Sequence, residues 1–153
     1  MSKIAVIALY NVDKPTEAVS TIRSIANEFG IGVCLGALED EPFLREYSCP
    51  EILLSISDHE KTDNCEYFFL PDGWTINGMQ HPIPFIRRMK VLQMFAYRLN
   101  VLCEQMEILV GESGMGLDDF AFYEVEAKDI PDVMTNKYCG MFDCHAVRLK
   151  VLK

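Results

Sequence analysis

Near its start the chain reads Lys3-Ile4-Ala5-Val6-Ile7-Ala8-Leu9-Tyr10, and this stretch decides the fold. From Ile4 onward no polar residue interrupts it. The run is too short for a typical helix and reads as a strand buried on both faces, because successive side chains point to opposite sides of a sheet. Asn11 to Lys14 then break it. Asp13 and Pro15 mark a helix start, since a carboxylate can cap free N–H groups and proline has none to satisfy. Ala18, Val19, Ile22, Ile25, Ala26 and Phe29 follow at helical spacing until Gly30 closes the pattern, which predicts a helix over 15–29.

Working outward, Ile31 to Leu38 reads as a second strand weakened by Gly32 and Gly36, and Glu51 to Ser57 as a third. Glu66–Leu70 and Trp74–Asn77 flank Pro71-Asp72-Gly73 and are expected to form a hairpin. A long helix is predicted over 84–105, with Phe85, Met89, Leu92, Ala96, Leu99 and Cys103 on one face. Met106 to Val110, ended by Gly111, is a short strand, and Phe120–Glu126 and His145–Leu152 are two more. In the last, Val147, Leu149 and Val151 alternate with Arg148 and Lys150, the period of a sheet with one wet face. Two helices cannot cover both faces of so many strands. The expected fold is therefore a two-layer α+β domain over 1–153, with one mixed or antiparallel sheet and both main helices (15–29 and 84–105) on one face.

The chain has 153 residues, enough to bury one sizeable core. No window approaches the roughly 18 apolar residues of a membrane helix, and the first apolar run is too short for a secretion signal. A cytoplasmic protein is expected, with no membrane partner. Its cysteines at 34, 49, 65, 103, 139 and 144 are then thiols, with Cys34 and Cys103 in the core.

The formal charge of −9 argues against a nucleic-acid partner. That charge is uneven. Residues 39–72 carry ten acidic groups against Arg45 and Lys61, and residues 101–132 carry nine against Lys128. Residues 73–100 hold Arg87, Arg88, Lys90 and Arg98 and no acid. If the acidic segments share a side, that side attracts basic proteins. The candidate partner-binding carboxylates are Glu39, Asp40, Glu41, Asp58, Glu60, Asp63, Asp118 and Asp119. Trp74, at a turn beside Tyr67, Phe68 and Phe69, is the candidate aromatic anchor.

Catalytic signatures are weak. His59, His81 and His145 stand in no recognised spacing with Ser or Cys, so no catalytic residue is assigned. Cys139-Gly140-Met141-Phe142-Asp143-Cys144-His145 lacks the second pair of a zinc knuckle, and Asp58, Glu60, Asp63 and Asn64 lack the glycine of a calcium loop; no metal and no cofactor are expected. Gly111-Glu112-Ser113-Gly114-Met115-Gly116 matches neither phosphate-binding glycine pattern. A rival reading is an anion or small-molecule site, of a binding domain or of an enzyme, at the start of the second helix, using His81, Arg87 and Arg88. A third is a homo-oligomer in which the basic segment 73–100 meets an acidic one.

Met106-Glu107-Ile108-Leu109-Val110-Gly111-Glu112-Ser113-Gly114, then Leu117-Asp118-Asp119-Phe120, and the closing basic strand occupy the last third of the chain. Their layout resembles that of small bacterial immunity proteins of polymorphic toxin systems. Those are acidic, single-domain inhibitors that cover a toxin's active site. The resemblance implies a non-enzymatic binding protein whose basic partner is a toxin; it carries over no individual binding residue.

Overall fold

In a computed structural model of the chain, β1 (Lys3–Val12) lies inside a six-stranded sheet, and the other strands of that sheet are placed by reference to it. The structure describes residues 3–29, 32–35, 51–57, 75–76, 79–80, 85–112, 115–139 and 146–153. β1 pairs antiparallel with β3 (Ile52–Ser57) on one side and with β6 (Cys103–Glu112) on the other. β2 (Gly32–Leu35) extends the sheet beyond β3, and β8 (Val147–Val151) beyond β6. All these pairs are antiparallel. β7 (Ala121–Val125) then joins β8 in parallel, giving the order β2-β3-β1-β6-β8-β7. The sheet is thus mixed, and the fold is α+β as expected.

Helix α1 (Pro15–Phe29) begins at the proline and buries Ala18, Ile22, Ile25 and Ala26, one stripe of its surface. Helix α2 (Phe85–Leu99) buries Met89, Val91, Leu92, Phe95, Ala96 and Leu99. Both stripes join one cluster with Ala5, Ile7 and Leu9 of β1, so the two helices cover the same face. Along that face Leu54, Ile7, Ile108, Leu149 and Tyr123 stand in register across five strands. Each fully buried Ile, Leu or Phe there contributes about 1.5–3 kcal/mol.

The β1 run is apolar throughout because its other side is buried too. Val6 and Ala8 form a second cluster with Leu109, Phe120 and Ala146, against which Tyr10, Leu53, Met115 and Leu117 pack. Asn11 ends the alternation. Its φ of 51° lies in the left-handed region, where asparagine is tolerated, and this brings Val12 rather than Asn11 into the helix-side core.

Some boundaries differ from the sequence reading. The helix over 84–105 ends at Leu99. Asn100–Leu102 form one 3-10 turn, and Cys103 opens β6 with φ −141° and ψ 163°. The cause is the buried Asn100, whose amide donates to the Leu152 carbonyl at 2.9 Å and ties the helix end to the close of β8. Lys153 Nζ donates to the carbonyls of Asn100 and Cys103 and tightens the same corner. Cys103 keeps its helical spacing and its burial, because its thiol donates back to the Leu99 carbonyl at 3.4 Å. Gly111 lies within β6 and does not end it. A Cβ there would stand 2.9 Å from the Phe120 ring, so glycine is what lets the second cluster close against the strand.

A short hairpin follows the expected one in the chain. β4 (Thr75–Ile76) pairs with β5 (Met79–Gln80), across Asn77-Gly78 in the sequence, a stronger two-residue turn signal than Pro71-Asp72-Gly73. The expected arm 66–70 lies outside the described residues. The sequence reading missed the 3-10 turns Leu117–Asp119 and Ala127–Asp129, the short helix α3 (Ile130–Val133) and the π turn Met134–Cys139. The first leads into β7 and the other three carry the chain away from it, and Gln93 of α2 ties the turn at Ala127 by donating to its carbonyl at 3.1 Å.

Candidate functional site

The sheet face away from the helices changes character from β1 toward β7. Two rows cross it in register: Val6, Leu109, Arg148 and Phe122, then Ala8, Glu107, Lys150 and Glu124. Each row starts apolar and ends charged or exposed.

Glu107 is the buried charge in this gradient, with its side chain 1% exposed. Arg148, one register step along β8, meets it with two bonds: Nε donates to Oε1 at 2.8 Å and Nη2 to Oε2 at 3.4 Å. The geometry is the forked guanidinium–carboxylate pair, which fixes direction as well as charge. The guanidinium carbon also lies 5.1 Å from the centroid of the Phe122 ring. Phe122 itself is 48% exposed. A chain of three side chains thus runs from the interior of the sheet to an aromatic ring at its edge.

Carboxylates surround that ring in sequence. Residues 117–132 carry Asp118, Asp119, Glu124, Glu126, Asp129 and Asp132 against the single cation Lys128. All but Asp129, which is half-buried, are exposed. Asp118 and Asp119 lie in the 3-10 turn before β7, and Asp119 Oδ2 accepts from the Gly116 N–H at 2.9 Å. Glu126 lies just beyond β7, where its bond to Lys128 at 3.2 Å raises the lysine pKa. The exposed pair is worth little. Across the sheet Lys150 of β8 stands in register with Glu124, and Lys137 lies over the Tyr123 ring, so this side carries cations as well as carboxylates.

Of the sequence candidates, Asp118 and Asp119 fall on this edge. Glu39, Asp40, Glu41, Asp58, Glu60, Asp63 and Trp74 lie outside the described residues, as do His81, Cys144 and His145. Arg87 and Arg88 occupy the third and fourth positions of α2, as expected, and only their backbone is described. Cys139 closes the π turn. Among the described residues no group of three or more His, Cys, Asp or Glu side chains could hold a metal ion, and no helix is long and apolar enough to cross a membrane. An open groove of about 420 Å³ lies along α1, lined by Pro15, Thr16, Val19, Ser20 and Arg23. Those described residues include no carboxylate, histidine or thiol.

Two carboxylates flagged only as part of the acidic total have internal uses. Glu107 is consumed by Arg148, and Glu51 Oε2 accepts from the Val12 N–H at 2.8 Å at the close of β1. Sequence reasoning missed Phe122 as an anchor. The signal available was the alternation Phe122, Tyr123, Glu124 before an acidic run. No family model, no curated protein and no solved structure matches this chain.

Proposed function

We propose that this chain is a non-enzymatic binding protein that engages a basic protein partner through the β7 side of its sheet, in the manner of an immunity-type inhibitor. The observation that carries the reading is the edge itself. Residues 117–132 carry six carboxylates and one lysine along the chain on either side of a half-exposed phenylalanine. A field of one sign accelerates encounter with a partner of the other sign, and a ring held from behind by Arg148 supplies a buried contact once the partner arrives.

Reversing Asp118, Asp119, Glu126 and Asp132 to lysine in the full chain tests this. Partners are compared by affinity capture from native cell extract at low and high salt, followed by identification of what is retained. A basic protein held by the parent, released by salt and lost from the variant is the expected outcome. An unchanged partner set with unchanged salt dependence would sink the reading.

A further inference from the structure

We infer that the free side of β7 takes up one extended segment of a basic protein as an added strand, with a Lys or Arg side chain set against Glu124 and an apolar one against Phe122. This rests on the basic-partner reading above and adds how the partner is held.

The parity of the ladder is the first argument. Ala121 N donates to the Ala146 carbonyl at 3.1 Å, and Leu152 N donates to the Val125 carbonyl at 2.8 Å. Residues 121, 123 and 125 therefore spend their backbone groups on β8. The N–H and C=O groups of Phe122 and Glu124 point the other way, and among the described residues no strand lies there. An exposed row of this kind is a template for another chain. Sheet edges are usually blunted by proline, lysine, a bulge or a cover. Ala121-Phe122-Tyr123-Glu124-Val125 contains no proline, glycine or lysine and is rich in strand-forming residues. It remains competent to pair.

The side chains choose the occupant. In strand addition the main chain supplies affinity and alternate side chains supply specificity. Phe122 and Glu124 share one face, two residues apart, with Arg148 and Lys150 of β8 in register on their inner side, so an added strand meets an apolar surface and then a carboxylate whose outer side is open to a second cation. Asp118 and Asp119 lie before the strand and Glu126 beyond it, so the incoming segment is flanked by negative charge at both ends. A second copy of this chain is disfavoured by the same chemistry. Antiparallel self-pairing about Tyr123 sets Phe122 against the other copy's glutamate and brings two sets of carboxylates together, where like charges repel.

The probe is a fluorescein-labelled heptapeptide, Lys-Thr-Arg-Thr-Val-Thr-Lys, titrated against the full chain by anisotropy at low salt. Two further forms carry N-methyl groups on one or the other alternating set of amides. Strand addition predicts that one set abolishes binding, weakening it at least about tenfold, while the other is tolerated because it faces solvent. Hydrogen exchange at Phe122 and Glu124 should slow on binding. Glu124→Arg should weaken the peptide about tenfold, with an unchanged melting temperature reporting that the fold is intact.

Equal binding by all three peptides, lost in salt, would overturn strand addition while leaving the basic-partner reading standing. Binding by none of them overturns strand addition as well. A proline-interrupted peptide of the same charge then asks separately whether the acidic side binds bases at all. Concentration-dependent dimerisation that slows exchange at the same two amides would overturn the inference in favour of a second copy.

Discussion

Under α1 and α2 the sheet presents Leu54, Ile7, Ile108, Leu149 and Tyr123 in one continuous row, whereas on the opposite face the row from Ala8 runs into Glu107, Lys150 and Glu124. The first face must be apolar across its width, because two helices seal it from water. The second is apolar only near β1, where Phe120, Leu117 and Met115 pack over it. Toward β7 the strands are free to carry charge. Stability is thus concentrated on one face, and the exposed chemistry on the other.

The largest expected effect contrasts two phenylalanines. Phe95→Ala empties a fully buried position under the helices and should cost about 3–5 kcal/mol in urea denaturation. Phe122→Ala, at the exposed end of the other face, should cost less than about 1 kcal/mol. Comparable losses would erase the contrast.

Next is the ionic step between the faces' apolar and exposed ends. Glu107→Met takes the carboxylate from a partly buried guanidinium and should cost about 2 kcal/mol, less than a fully buried pair because Arg148 keeps 28% of its surface in water. Replacing both Glu107 and Arg148 by methionine should return to within about 1 kcal/mol of the parent. A double-mutant cycle measures this; a double variant as damaged as the single would show that the pair organises the sheet rather than merely neutralising itself.

Gly111→Ala comes third. The new methyl meets Phe120 and Ala146 at 2.9–3.1 Å, so the second cluster must shift, at about 1–2 kcal/mol. A loss near zero would mean that this face is looser than its burial suggests. The smallest effect concerns Cys103, on the helix-covered side. Burial pushes its thiol pKa up, the nearby Lys153 pulls it down and Asp13 pushes it up. With the folded value raised, its contribution to stability is constant below the ordinary thiol range and declines as pH rises through it. Alkylation of Cys103, followed by peptide mass mapping, should therefore lag that of an unfolded control as pH increases. Equal rates would mean that this corner opens readily.

The elements written into local pattern were legible. Pro15 and the Ala18, Ile22, Ile25, Ala26 stripe define α1, and Val147, Leu149 and Val151 define the inward side of β8. The end of α2 was not legible, since Cys103 continues the helical spacing and only the long-range bond of Asn100 to Leu152 shows why the helix stops. At the site, Asp118 and Asp119 were visible as charge. Phe122 gains its meaning from Arg148, and Arg148 from Glu107, partners 26 and 41 residues apart. Such pairings follow from strand order, which no local pattern encodes.

Among the described strands, β8 is inserted between β6 and β7, although it follows both in the chain. During synthesis β6 can join β1 long before, but β7 has nowhere to dock until residues 147–151 have emerged and settled. The edge assigned to partner binding therefore exists only in a molecule whose sheet is already finished. A half-assembled sheet, in which β8 has not yet joined β6, would not display that edge.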